Sequence, residues 1–305
     1  MPTCIIVNPG AGSVEDLEVL ETALGRLPDS HVLRTEAAGD AERLAREAVR
    51  DGADLVVAAG GDGTLNEVLN GLSEDFDKTR LGLIPLGTGN DFARSIGVPD
   101  DIEGALAVLL EGTVRSLDVA RATIGDTCRC FVNMSVGGFS GEVSERASEA
   151  KETWGPLAYL RGAIGALPEL KGFLTTITLN GGETLSLETF NIVVANGRYV
   201  ASGIPAAPTA ILDDGLLDVV ISPMTTLPQL AVLMPQVLLG LHLESDLLLF
   251  RRATRVEVEC APPMAFNVDG ELIGEGTARF EILPRALRVI VGSTAEEGVF
   301  SAAEE

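Results

Sequence analysis

The chain has 305 residues, of which 46% are apolar, enough length for two domains with cores of their own. Its 45 acidic side chains against 22 basic ones give a net charge of −23, which excludes duplex DNA or RNA as a partner, because that affinity is built from Lys and Arg on phosphate. The same charge opposes electrostatic adsorption to an anionic bilayer, so any membrane contact has to be apolar, local or ion-assisted.

Cys4 to Val7 reads as a first buried strand, followed by the turn Asn8-Pro9-Gly10-Ala11-Gly12-Ser13. Val14 to Leu27 repeats Leu17, Leu20, Leu24 and Leu27 at helical spacing, with Glu15 and Asp16 in the first turn, where the helix dipole favours acids. His31 to Arg34 gives a short second strand, followed by Thr35, and Asp40 to Arg50 a second amphipathic helix. The third strand, Leu55 to Ala59, runs into Gly60-Gly61-Asp62-Gly63. The helix expected from Thr64 to Leu72 carries Leu65, Val68, Leu69 and Leu72 on one face. Leu81 to Pro85 is a fourth strand, ending in Gly87-Thr88-Gly89-Asn90-Asp91 and the helix-like FARSIG. This alternation predicts a doubly wound, mostly parallel α/β domain with ligands at the carboxyl ends of its strands.

From Arg115 the rhythm changes. Arg115 to Ala122, Arg129 to Ser135, Thr175 to Leu179, Thr189 to Ala195, Leu216 to Ser222, Thr254 to Cys260 and Ala278 to Leu283 read as strands. Two helices interrupt them, Pro156 to Leu170 and Pro228 to His242. The expected fold class is therefore α/β + β: an N-terminal doubly wound domain over residues 1–122, and a mainly antiparallel, β-sandwich-like domain over residues 123–283. A last strand pair after Pro284 is open to either domain. Leu227 to Leu241 is apolar but carries two prolines and is shorter than the ~18 residues of a spanning helix, so a core or interfacial helix is expected there.

The centre of the chain is LVVAAGGDGTLNEVLN, Leu55 to Asn70. Strand, glycine turn and helix N-terminus make a phosphate site, because free N–H groups and the positive end of the dipole converge. Asp62 in that turn repels phosphate unless a divalent cation lies between, which points to Mg²⁺ with a nucleoside triphosphate. Glycine and aspartate also satisfy plain turns. A second strand end carrying Thr88, Asn90 and Asp91 directs the same residue types at one crevice.

Cys4, Cys128, Cys130 and Cys260 lie in apolar or strand-like contexts, show no disulfide-framework or metal-ligand spacing, and read as buried, reduced thiols. MPTCIIVNPG lacks the basic-then-apolar pattern of a signal peptide, so a cytoplasmic location is expected. His31 and His242 sit in no motif. Trp154 and Tyr159 are candidates for lipid contact or for core packing.

NPGAG (Asn8 to Gly12), GGDGTLNEVLNGL (Gly60 to Leu72), PLGTGNDFAR (Pro85 to Arg94), DDGLLDV (Asp213 to Val219) and FNVDGEL (Phe266 to Leu272) occur in this order. Together they make the chain resemble the diacylglycerol kinase catalytic-domain family, most closely the soluble bacterial lipid kinases of the YegS type. The resemblance implies an ATP- and Mg²⁺-dependent kinase acting on a lipid hydroxyl, with ATP in a crevice between the domains. It places Thr35, Gly60, Gly61, Asp62, Gly63, Thr64, Leu65, Asn66 and Thr88 at the nucleotide, with Asn8, Asn90 and Asp91 bordering the same crevice. Asp62 and Asp91 are its candidates for ordering the catalytic Mg²⁺, and helix capping is the plainer role open to Asp91.

The resemblance also implies that Glu271, in the sequence Asp269-Gly270-Glu271, accepts the proton of the lipid hydroxyl, with Asp269 in the catalytic set. The same dipeptide makes a good hairpin turn, in which Glu271 simply faces solvent. Asp214 falls on the family's structural Mg²⁺ site, where the carbonyls of Ile211 and Leu216 complete the shell. The loop ending in Ser13-Val14-Glu15 lacks the basic residue that relatives often carry nearby. A peripheral membrane contact and a homo-oligomer stay open. Two alternatives remain: an NAD kinase-like enzyme, against which GTGNDFAR argues, and a nucleotide- or lipid-binding protein without turnover.

Overall fold

The computed structural model describes residues 2–12, 17–27, 29–138 and 171–302. They fall into two compact units, Met1–Val119 with Pro284–Glu305, and Ala120–Leu283. The expected Pro156–Leu170 helix, Trp154, Tyr159 and the Ser13-Val14-Glu15 stretch lie outside the described residues.

In the first unit β1 (Thr3–Val7), β2 (Ser30–Arg34), β3 (Leu55–Gly60) and β4 (Arg80–Pro85) pair in parallel, in the order β2–β1–β3–β4. Every residue of β1 and β3 is buried, as parallel strands covered on both faces require. The crossovers are α1 (Leu17–Leu24), α2 (Asp40–Arg50) and α3 (Asp62–Leu72), with α4 (Asp91–Ser95) and α5 (Ile102–Glu111) after β4.

α2 buries Ala41, Leu44, Ala45 and Ala48 and carries Asp40 in its first turn and Arg50 in its last, each matched to the dipole. α3 buries Leu65, Val68, Leu69 and Leu72, and a fully buried leucine contributes about 2 kcal/mol. Gly71 lets α3 approach α2, since a Cβ there would stand 2.6 Å from the Ala45 Cβ. α5 is a helix with an evident start signal, Asp101 accepting from the Gly104 N–H at 2.8 Å. The strand order reverses between β1 and β3, and a doubly wound sheet opens a crevice at the carboxyl ends of such strands.

The second unit is antiparallel. Its strands are β5 (Thr113–Ile124, shared with the first unit), β6 (Thr127–Phe131), β7 (Met134–Gly138), β8 (Phe173–Leu179), β9 (Glu183–Ala195), β10 (Tyr199–Val200), β11 (Ile204–Pro205), β12 (Leu217–Pro223), β13 (Leu249–Ala253), β14 (Arg255–Ala261), β15 (Ala265–Val268), β16 (Glu271–Glu275) and β17 (Ala278–Val291). β9 is a fork: Glu183 to Thr189 pairs with β8, while Asn191 to Ala195 pairs with β7 on one edge and β12 on the other. One core gathers Phe131, Phe266 and Phe280, with edge-to-face ring pairs at 6.4 and 5.8 Å. A second core lies under α6 (Leu227–Leu238). The expected Arg129–Ser135 strand is broken at Val132 and Asn133, and of the four cysteines expected to be buried only Cys4 and Cys130 are, Cys128 lying at the exposed start of β6 and Cys260 half-buried. The end of β17 belongs to the first unit, where Arg288 and Val289 pair in parallel with Arg80 and Leu81.

Candidate active site

Three turns meet in the first unit at the carboxyl ends of β1, β3 and β4. Asn8 continues the β1 ladder by donating its N–H to the Ala59 carbonyl at 2.9 Å. Its Nδ2 donates to Thr64 Oγ1 at 3.1 Å, which ties the first turn to the start of α3 across the point where the strand order reverses. Its Oδ1 accepts from the Gly10 N–H at 2.9 Å. Thr35, at the end of β2, is tied in by its N–H to the Val7 carbonyl at 2.9 Å.

The glycines of GGDG are there for close approach. None of Gly60, Gly61 or Gly63 has a positive φ, although such backbone freedom is the usual reason for glycine in turns. A Cβ on Gly60 would run into the Thr64 side chain, and one on Gly87 would stand 2.6 Å from the Gly61 Cα. The turns after β3 and β4 are thus packed backbone on backbone. At Gly63 a Cβ would meet nothing within 4 Å, so the chain there is open to a ligand. Gly12 and Thr88 bring the first and third turns together, a Cβ on Gly12 standing 3.6 Å from Thr88 Oγ1.

α3 starts at Asp62, two residues ahead of the expected Thr64, because Gly61 takes the extended cap conformation. Asp62 then turns to the neighbouring turn: its carboxylate accepts from the N–H groups of Asn90 and Asp91 at 2.9 and 3.0 Å. Asn90 holds a left-handed backbone, φ 51°, with Oδ1 accepting from the Gly87 N–H and Nδ2 donating to the Gly87 carbonyl and to Asp100. Asp91 is buried and receives Arg94 Nη1 at 2.9 Å. Burial, reinforced by the Asp91 charge, pushes the Asp62 carboxyl up from its usual 3.8 to about 6; the two backbone N–H groups and Arg94 oppose this without cancelling it. Beneath these groups lies a crevice of about 10 Å³ lined by Gly60, Asp62, Leu65, Ile84, Asn90 and Ala93, room for one water.

Leu65 and Asn66 are turned inward. Leu65 is part of the core, and Asn66 is buried with its Oδ1 accepting from Asn70 Nδ2 at 3.1 Å.

In the second unit, Val268 pairs with Glu271 across Asp269 and Gly270, which have φ of 45° and 91°. This is the two-residue hairpin that Asp-Gly favours. Asp269 also clamps the break between β6 and β7. Its Oδ1 accepts from the N–H groups of Asn133 and Met134 at 3.2 and 3.0 Å, and its Oδ2 from Val132 at 3.2 Å. Glu271, the first residue of β16, is exposed.

Asp214 accepts from the Leu216 N–H at 3.0 Å, and Arg252 lies 3.8 Å from it and 2.8 Å from the buried Asp218. Burial raises both carboxyls above their usual value, against the pull of Arg252. Ile211 and Leu216 flank this loop, half-buried. No cluster of three or more His, Cys, Asp or Glu with metal-binding geometry occurs among the described residues.

The diacylglycerol kinase catalytic domain profile matches residues 2–122, and the profile of the YegS C-terminal NAD kinase beta sandwich-like domain matches residues 133–291. A diacylglycerol kinase of Staphylococcus aureus strain MRSA252 is 34% identical over 294 residues, which is 93% of this chain and 90% of the relative. The chain belongs to the diacylglycerol kinase family. The crystal structure of a diacylglycerol kinase from Bacillus anthracis str. Sterne superposes with a TM-score of 0.74 at 25% identity, and a second structure from that organism with 0.82 at 28%. Each covers 97% of this chain and 98% of its own.

Two residues, Arg94 at the end of PLGTGNDFAR and Arg252 outside all five motifs, carry more than the sequence assigns them. Arg94 holds Asp91 and donates to the Gly89 carbonyl at 3.1 Å; its i+3 spacing from an acid on a helix was a visible signal. Arg252 sits thirty-four residues or more beyond the acids it serves, and only the β12–β13 register, Asp218 opposite Arg252, brings it there.

Proposed function

We propose that the chain is an ATP- and Mg²⁺-dependent lipid kinase that transfers the γ-phosphoryl group to a hydroxyl of a lipid such as diacylglycerol or phosphatidylglycerol. The observation that carries this reading is the Asn8–Thr64 bond at the reversal of strand order, with Asp62 two residues before Thr64 in the first turn of α3. The N-terminal amides of α3 lack intrahelical partners by construction and supply an anion site. Gly63 is open above them, and Thr64 accepts from Asn8, which leaves its hydroxyl proton to a phosphate oxygen.

The nucleotide is assigned to Asn8, Thr35, Gly60 to Thr64, Thr88, Asn90 and Asp91. Leu65 and Asn66 support it from within. A Mg²⁺ ion held by one or two carboxylates takes its remaining ligands from phosphates and water. Asp62 and Asp91 fit that pattern, and a free-standing metal cage is not needed. The ion supplies neutralisation of the triphosphate charge. Glu271 takes the lipid hydroxyl proton, and its exposure leaves it open to substrate. Asp269 positions it by fixing the hairpin. Asp214 with the carbonyls of Ile211 and Leu216 is assigned a second, structural Mg²⁺, which shares its charge balance with Arg252.

The test is phosphate transfer from labelled ATP, with diacylglycerol, phosphatidylglycerol, a sphingoid base and NAD as acceptors, with and without Mg²⁺. A Mg²⁺-dependent phospholipid product supports the reading. Phosphorylated NAD with no lipid product overturns it, as does calorimetric ATP binding with no product from any acceptor.

A further inference from the structure

α6 has two apolar faces and one partner. Leu230, Leu233, Met234 and Val237 lie at i, i+3, i+4 and i+7 and pack on the core that includes Val136, Val193 and Val220. Opposite them, a surface helix ordinarily presents charged and polar side chains. Here the outward stripe is Pro228, Val232, Pro235 and Leu239, with Leu227 and Leu241 at its ends. Leu239 is 71% exposed, Val232 59%, and Leu227 and Leu241 56% each. Residues 219–243 contain no Asp, Glu, Lys or Arg, in a chain that otherwise carries 45 acids and 22 bases. Even the cap is neutral: Gln229 Oε1 accepts from the Thr226 N–H at 2.9 Å, where a capping box commonly uses glutamate.

From this we infer that the outward stripe of α6 docks the protein on the apolar surface layer of a lipid bilayer of low surface charge. The choice of partner rests on the lipid-kinase reading, since an acceptor with acyl chains resides in a bilayer. Two observations favour that partner over a second copy, and a third sets how deep the helix lies. The first is area. Twelve residues make a helix about 18 Å long, so a stripe one helix wide presents roughly 200 Å², well short of the ~800 Å² per partner of a stable protein interface. The second is charge. Two chains of −23 repel each other, whereas a neutral bilayer offers no such repulsion, and a stretch without charge enters the interfacial layer without desolvating an ion.

The third is depth. Pro235 stands inside the helix and has no N–H to give the Ala231 carbonyl. That carbonyl stays satisfied at the hydrated headgroup level and would not be deeper. The helix therefore lies on the membrane. No helix among the described residues is long and apolar enough to cross one. The surface is also tied to the proposed base: Met134 belongs to the core under α6, and its N–H is held by Asp269.

The experiment is flotation of the full chain with phosphatidylcholine vesicles, run beside vesicles rich in phosphatidylglycerol. Wild type is expected to float with neutral vesicles at low and high salt, and with anionic vesicles better as salt rises. The double variant Val232→Asp with Leu239→Asp is expected to raise the vesicle Kd at least about tenfold, or about 1.4 kcal/mol, with unchanged circular dichroism and melting temperature. Leu239→Trp is expected to tighten binding and to show an emission shift to the blue on vesicles. Binding of the double variant equal to wild type overturns the inference, as does wild-type binding that high salt abolishes. A wild-type dimer that the double variant dissociates, without vesicle binding, assigns the stripe to a second copy and also overturns it. Phosphorylation of a monomeric short-chain diacylglycerol should be equal in all variants. If neither this acceptor nor any other is phosphorylated, the kinase reading alone falls, and the vesicle result stands or falls by itself.

Discussion

Asp62 makes a pH prediction with a definite sign. Its folded-state carboxyl titrates at about 6 against 3.8 when free, so between those values the folded chain binds more protons than the unfolded one. Stability from this group is therefore fully present below 3.8 and is lost as pH rises to 6. A shift of about two units corresponds to about 3 kcal/mol in all. A chain with a pI of about 4.4 is best studied from pH 5.0 upward, and about 1.4 kcal/mol of the loss falls between pH 5.0 and 7.5. The other acids titrate over the same range, so the measurement is a difference. Urea unfolding of wild type and of Asp62→Asn is followed at several pH values, and the stability of the variant is subtracted. Asparagine cannot accept both backbone N–H groups as a carboxylate does, but that deficit is constant with pH and drops out of the slope. The difference is expected to fall by about 1.4 kcal/mol across the window, and Mg²⁺ with nucleotide is expected to flatten it by favouring the ionised form. A difference that stays level or rises with pH would falsify the argument: the amides of Asn90 and Asp91, with Arg94, would then outweigh burial.

Asp269→Asn keeps a residue that tolerates the left-handed hairpin position but sets an NH₂ group against backbone donors. A loss of about 2–3 kcal/mol in urea unfolding is expected, together with a lower kcat and an unchanged KM for ATP; unaltered stability would show that the clamp on Val132, Asn133 and Met134 is idle. Glu271→Gln changes an exposed side chain, so stability should move by less than about 0.5 kcal/mol, while turnover falls about 10²–10⁴-fold and calorimetric ATP affinity holds. Turnover within a few-fold of wild type removes Glu271 from the role of base. Gly87→Ala forces a methyl against the Gly61 backbone, with an expected destabilisation of about 1–3 kcal/mol and weakened nucleotide binding. A fully stable variant with normal affinity would mean that the two turns need not touch.

The first unit was legible because its signals are local. Asp40 to Arg50 is a helix with the ends expected for it, since acid at the start, base at the end and an apolar stripe all agree. α5 went unread, although Asp101 announces it, because Gly104 interrupts the pattern; the glycine is needed for packing, as a Cβ there would stand 2.8 Å from Pro99. In the second unit, the run from Arg129 to Ser135 has the pattern of one strand. What splits it is Asp269, more than 130 residues away, which takes the three N–H groups a continuous ladder would have used. No window along the chain contains that information. The same holds for Arg252 and its two aspartates.

Asp62 shows why a motif can be recognised before its physics is understood. A carboxylate beside a phosphate-binding turn suggests a metal ligand, and that reading stays with the proposal. In the folded chain the carboxylate also fastens one turn to the next, spending the amides of Asn90 and Asp91 that could otherwise have faced an anion. The chain has three lysines, Lys78, Lys151 and Lys171, and none stands in these turns. Arg94 pairs with Asp91 and also faces Asp62, and among the charged side chains of these turns the two carboxylates outnumber it. In the proposed nucleotide site, anion binding would fall to the first amides of α3 and the Thr64 hydroxyl, and the balancing positive charge would come in with the ligand. On the proposed kinase reading, a dependence on divalent cation is expected from that imbalance, whichever lipid receives the phosphate.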